Sequence, residues 1–268
     1  MPDALVGCQN DGQTVIVNRK PRGENLRKSS LGSTGEYTKT KMIETKRSIP
    51  AAQIKLLLWD LDGTLVDSEL DLAHAINAML REFERPELPL EVVASYIGDG
   101  APMLVRRALG DPQDERFVKS ALEHFMLYYR EHLLDNTYAY PGVIEALKAI
   151  RERSRMQMAV LTNKPVRASR AICEGLKLSE FVTQIYGGNS FDTKKPDPHG
   201  ARVLLEEHGA LPTEAIMIGD SQNDVLTANN AGMYSIGVRY GLSPESLKIH
   251  PPDVLIDHPG ELLEVLGL

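Results

Sequence analysis

Cysteine is scarce: two residues, Cys8 and Cys173, in 268. With no second thiol or histidine at metal spacing beside either one, a disulfide framework and a thiolate zinc site are both excluded, and a reducing compartment is expected. The seven histidines are scattered, and no H-x-x-x-H pair occurs among them. No apolar run approaches the roughly 20 residues of a membrane span, and no apolar core follows the initial Met as a secretory signal requires. Excess positive charge is missing too. The formal net charge is -7, whereas a nucleic-acid binder normally presents a basic face. These absences predict a cytoplasmic protein with no nucleic-acid and no membrane partner. The sequence carries no signal for oligomeric state.

What is present is ordinary for a folded protein: 42% hydrophobic and 25% charged residues, in a chain long enough for one or two domains with real cores. The first stretch stands apart. "NRKPRGENLRKSSLGSTGEYTKTKMIETKRSIP" is polar, basic and aperiodic, and residues 1–53 read as a disordered N-terminal extension. Its Arg and Ser content suits a transit peptide, which Asp3, Asp11, Glu24 and Glu36 oppose; a second reading takes Met42 as the natural start.

From Ile54 onward apolar strands alternate with amphipathic helices, the pattern of an α/β fold with a parallel sheet. Strands are expected at "IKLLLWDLD", 156–163, 181–188, 215–220 and 233–240. One insertion breaks the alternation. Residues 68–140 show helical periodicity alone, with Leu72, Ile76, Met79, Leu80 and Phe83 on one stripe and Val118, Ala121, Leu122, Phe125 and Tyr129 on another. The expected organisation is a core of residues 54–67 and 141–268 with a helical cap, 68–140, over the carboxyl ends of the strands, where ligands bind in open α/β folds.

The strand ends carry the chemistry. "LLLWDLDGTLVDS" places Asp60 and Asp62 two apart, on one face if the strand continues through them, so the two charges repel unless a cation or shared proton relieves them. "AVLTNKP" ends in Thr162 and Asn163, "DTKKPDP" supplies Lys194 and Lys195, and "IMIGDSQND" supplies Asp220 and Asp224. Carboxylates gathered at one sheet edge suit Mg²⁺, which takes one or two of them plus substrate phosphate and water. Lys195 and Thr162 then suit the phosphate. Taken singly, each motif has a plainer use: a turn at Gly63, a helix N-cap at Thr162–Asn163, a solvated charge at Lys194, a favourable helix-start charge at Asp224.

Together, "DLDGT", "LTN", "KKPDP" and "GDSQND" resemble, in order and context, the haloacid dehalogenase-like phosphohydrolases. The resemblance runs from Ile54 to the C-terminus and is strongest toward phosphoglycolate phosphatases, with Trp59 where Phe is usual. It implies a Rossmann-like parallel-sheet core with an inserted all-helical cap. It also implies a Mg²⁺-dependent phosphatase acting on a small phosphorylated metabolite, with 2-phosphoglycolate foremost, through an aspartyl-phosphate. A β-phosphoglucomutase-like mutase and phosphatases for a sugar phosphate, a nucleotide or pyrophosphate share these motifs. By the resemblance Asp60 is the nucleophile and Asp62 the general acid and base. Mg²⁺ sits on Asp60, the Asp62 backbone carbonyl and Asp220. Thr162, the Asn163 backbone and Lys195 hold the phosphoryl oxygens, and Asp224 orients Lys195. In the cap, "GDGAPMLVRRAL" offers Gly98 and Gly100 amides and the cations Arg106 and Arg107. Arg107 is the expected anchor for a substrate carboxylate, with Asp99 working against it.

Overall fold

The computed structural model describes residues 43–268. The extension up to residue 42, with the proposed start at Met42, lies outside the described residues. In chain order the elements are β1 (Glu44–Thr45), β2 (Leu56–Trp59), β3 (Val66–Asp67), α1 (Glu69–Glu82), α2 (Leu90–Ala94), α3 (Ala101–Ala108), α4 (Glu115–His132) and β4 (Tyr138–Ala139). There follow α5 (Val143–Arg153), β5 (Gln157–Leu161), α6 (Val166–Gly175), β6 (Gln184–Tyr186), α7 (His199–Glu207), β7 (Ala215–Gly219), α8 (Gln222–Ala231), β8 (Tyr234–Val238), β9 (Val254–Ile256) and α9 (Glu261–Val265).

The sheet runs β1-β9-β8-β7-β2-β5-β6, parallel throughout except for β1 on β9. Its centre, β2, is buried at all four residues because helices cover both faces. Alternation divides the side chains: Leu57 and Trp59 pack on one side with Val160, Ile216 and Ile218, and Leu56 and Leu58 on the other with Ala159, Met217 and Leu204. Each fully buried leucine contributes about 1.5–3 kcal/mol relative to exposure.

Two strands at one edge of the sheet, β9 and β1, lie beyond those expected from the sequence. β9 is three residues long and β1 only two, too brief for a period to register. β1 also lies inside the stretch read as a disordered extension to residue 53. Glu44 and Thr45 pair with Leu255 and Val254, and Arg47 reaches Asp253 at 2.9 Å, so an edge ladder and an ion pair order a polar segment that buries little.

Helices α1 to α4 form the inserted unit. Leu72, Ile76, Met79 and Leu80 of α1 are buried with Val118, Ala121, Phe125 and Tyr129 of α4, the two stripes facing each other. Asp114 caps α4 by accepting from Arg116 N and Phe117 N. Entry to and exit from this unit lie side by side, since β3 and β4 pair antiparallel, Val66 with Ala139 and Asp67 with Tyr138. The buried Asp71 carboxylate fastens the exit, accepting from the backbone N–H groups of Asn136 and Thr137 and from the Thr137 hydroxyl at 2.7–3.0 Å. No helix among the described residues is long and apolar enough to cross a membrane.

Candidate active site

β2 ends at Trp59, so Asp60 is the first residue beyond the ladder, held there by its N–H on Ile218 O at 2.9 Å. The chain then turns instead of continuing extended. Leu61 O accepts from Leu65 N and Val66 N, and Gly63 adopts φ 82°. A Cβ at Gly63 would lie 2.2 Å from Asp220 Oδ2, so the close approach as well as the backbone angle requires glycine. The turn overturns the premise that Asp60 and Asp62 share one strand face.

The relief of their repulsion also differs from expectation. Each carboxylate has its own buried lysine. Lys195 Nζ stands 2.9 Å from Asp60 Oδ1 and 2.6 Å from Asp224 Oδ1. Lys164 Nζ donates to both oxygens of Asp62 at 2.9 and 3.1 Å, and the Ser68 hydroxyl donates to Asp62 Oδ1 at 2.6 Å. Lys164 was not among the expected site residues. Burial opposes its charge, yet the Asp62 carboxylate, followed by the Tyr129 hydroxyl, outweighs burial and holds its pKa above the ordinary lysine value; Nζ also lies 4.7 Å from the centre of the Tyr129 ring.

Asp224 does both things weighed for it. Its Oδ1 holds Lys195, and its Oδ2 accepts from Ser221 N and Oγ, capping α8. Asp220 Oδ2 accepts from Leu242 N and Ser243 N at 2.7 and 2.9 Å. Carboxylate oxygens of Asp60, Asp220 and Asp224 lie within 4.8 Å of one another. Burial, followed by the charges of Asp224 and Asp60, pushes Asp220 up to about 8; burial, with the Asp224 and Asp62 charges overcoming Lys195, pushes Asp60 up to about 6. Three buried acids against one lysine leave an excess of negative charge that a hard cation fits. Because both Asp224 oxygens are engaged, Asp60 and Asp220 are the carboxylates suited to the ion.

Thr162 is buried at the end of β5, and its Oγ1 accepts from Lys164 N at 3.2 Å. The Asn163 side chain bridges the two parts of the site, donating to Gly98 O in the cap loop and to Lys195 O, both at 3.0 Å. The pocket that results has a polar floor of Asp60, Asp62, Thr162 and Lys164, and a cap wall that includes Leu72, Ile97, Leu104, Phe125 and Tyr129.

The cap cations fall elsewhere. Arg107 does not line the pocket; its guanidinium donates to Asp99 and to Tyr96 O. The acid eight residues upstream captures it, so the expected carboxylate anchor is absorbed in shaping the 98–100 loop. Arg106 binds Glu115 at 2.7 Å and Pro112 O at 3.0 Å, tying α3 to the start of α4. Asp99 is in turn fixed to the core: Asn223 Nδ2 donates to its Oδ1 at 2.9 Å, and Lys194 Nζ donates to its backbone carbonyl. Lys194, read as a solvated charge, is thus one of the clasps between cap and core.

Comparison with known proteins agrees with this arrangement. A family profile described as "Haloacid dehalogenase-like hydrolase" matches residues 57–238. The chain is 36% identical over 222 residues to a phosphoglycolate phosphatase of Haemophilus influenzae, covering 80% of this chain and 99% of the relative. It is 42% identical over 193 residues to a phosphoglycolate phosphatase of Pseudomonas syringae, covering 70% of each. Among solved structures, a "predicted phosphoglycolate phosphatase" from Haemophilus somnus superposes with a TM-score of 0.75 at 32% identity, covering 80% of this chain and 98% of the other.

Proposed function

The chain belongs to the haloacid dehalogenase-like hydrolase family and is a phosphatase, and we propose that it hydrolyses 2-phosphoglycolate with Mg²⁺ as its metal and Asp60 as its nucleophile. One observation carries the assignment of roles: Asp60 and Asp62 face the pocket on separate buried lysines, so two neighbouring carboxylates are held in different environments. Groups kept apart in this way are suited to different tasks.

Asp60 attacks phosphorus. The P–O bond to the leaving alkoxide breaks, and an aspartyl-phosphate forms on Asp60. Asp62 delivers a proton to that alkoxide and then takes one from the water that hydrolyses the intermediate. Thr162, the Asn163 backbone and Lys195 receive the phosphoryl oxygens, where charge develops. Asp224 keeps Lys195 aimed at them. Asp60, Asp220 and the Asp62 backbone carbonyl would hold the Mg²⁺, which when bound screens the anionic nucleophile from the anionic ester. The cap's apolar wall excludes water during the first step, which strengthens the electrostatic contacts beneath it.

The test is hydrolysis of a panel of phosphate esters with and without Mg²⁺. The reading expects 2-phosphoglycolate to give the highest kcat/KM and chelation to abolish turnover. A sugar phosphate, a nucleotide or pyrophosphate leading the panel overturns the substrate, and full activity in chelator overturns the metal.

A further inference from the structure

A substrate such as the one proposed brings a second negative charge under an apolar lid. Burying that charge without a partner is costly, so the pocket needs a donor for it beyond those of the phosphate, and a charged donor makes the stronger contact. Among the described residues lining the pocket, Lys164 is the one with a basic side chain. Arg106 and Arg107, the cations available by sequence, are committed to Glu115 and Asp99.

We propose that Lys164 is the specificity-determining cation of this pocket, receiving a carboxylate carried by the substrate beside its phosphate. The proposal rests on the phosphatase reading above and names the residue that selects the substrate class.

Its placement fits the role. Lys164 follows Thr162 and Asn163 directly, so it is anchored to the same turn that receives the phosphate. Nζ lies at the seam of core and cap, on Asp62 below and 4.7 Å from the centre of the Tyr129 ring above. An ammonium has three donors, and Asp62 occupies two of them. The Tyr129 side chain is its other neighbour, and a substrate anion entering the pocket would meet the same Nζ, whose uncharged tyrosine partner is more easily displaced than Asp62. The distance between the two groups recognised is therefore short, which favours esters whose carboxylate is one or two bonds from the phosphate-bearing carbon over long or neutral ones. Burial, Lys164 being 4% exposed, makes such a contact stronger than the same pair on the surface.

The experiment compares 2-phosphoglycolate with 2-hydroxyethyl phosphate, which matches it in size but lacks the carboxylate. The full chain loaded with Mg²⁺ is used as wild type, Lys164→Met and Lys164→Arg. Because Lys164 also touches Asp62, both esters are expected to react more slowly in Lys164→Met, and the ratio of their kcat/KM values is the readout. The wild type is expected to favour 2-phosphoglycolate. Lys164→Met should lower that ratio about 10- to 100-fold, the worth of one charge-assisted contact, while Lys164→Arg retains most of it.

An unchanged ratio in Lys164→Met, with the wild type still favouring 2-phosphoglycolate, overturns the role of Lys164 and leaves the function standing. Hydrolysis of neither ester by the wild type overturns both. Should Lys164→Met not fold, inhibition of the wild type decides. 3-Phosphonopropionate is expected to bind about tenfold tighter than propylphosphonate, and equal inhibition overturns the proposal.

Discussion

Replacing Asp220 by Asn should stabilise the metal-free protein, by an amount that grows with pH. Asp220 is 3% exposed, and its pKa is raised from 3.8 to about 8 by burial and by Asp224 and Asp60. Between those values the native protein holds a proton there that the unfolded chain has released. Stability contributed by this group therefore falls as pH rises through the window and levels off above about 8. From pH 5 to pH 7, two units at 1.36 kcal/mol each, the loss is about 3 kcal/mol. Asparagine keeps an oxygen for the Leu242 and Ser243 N–H groups but never carries the charge. The variant's advantage over wild type in urea unfolding, with chelator present, should thus widen by about 3 kcal/mol over that range. Mg²⁺ should narrow that advantage. At 100 times its dissociation constant it adds about 2.7 kcal/mol to the wild type and much less to the variant. An advantage that stays flat from pH 5 to pH 7, or equal metal stabilisation of both proteins, refutes the account of the acidic cluster.

Asp60→Asn should reduce turnover to background while the protein stays folded, since an amide does not attack phosphorus; measurable burst or steady-state product refutes the assignment. Gly63→Ala should cost about 1–3 kcal/mol for its positive φ alone, and more because the added Cβ meets Asp220, as thermal unfolding will show together with loss of activity. Asn223→Ala removes the Nδ2 hydrogen bonds from the core to Asp99 Oδ1 and, more weakly, to Gly98 O of the cap loop. It should lower kcat/KM about 2- to 10-fold with little change in melting temperature, and unaltered kinetics show that this contact plays no part in closure.

The core was legible because its strands are long enough to announce themselves. Runs such as "LLLW" and "AIMIG" are buried on both faces, and the polar groups that end them have no role inside a sheet, so their convergence at one edge could be read from order alone. What escaped reading depends on partners distant in sequence or on very short elements. Lys164 looks like a loop charge in "TNKP"; its partner, Asp62, is 102 positions away, and no local pattern connects them. The misplacement of Arg107 has the opposite cause. Its partner is nearby, and Asp99 is read from the sequence as working against it, but the sequence does not say whether a guanidinium turns toward a neighbour or toward the pocket. Asp60 and Asp62 were read as extended because period two is the rule in strands. The rule lapsed one residue after the last rung of the ladder.

The pairing of β3 with β4 has a consequence for how such an enzyme changes over generations. Two rungs, Val66 with Ala139 and Asp67 with Tyr138, bring together the points where the chain leaves the catalytic body and where it comes back. The ends are therefore held together whatever the length strung between them, and the cost of closing that loop rises only slowly with its length. The acids and donors that break the ester all sit on one side of this seam, and the surface that judges which ester arrives sits mostly on the other. Lids can be exchanged as cassettes while the chemistry beneath is inherited intact. Lys164, rooted in the catalytic body yet touching the lid, is the place where the two histories have to agree.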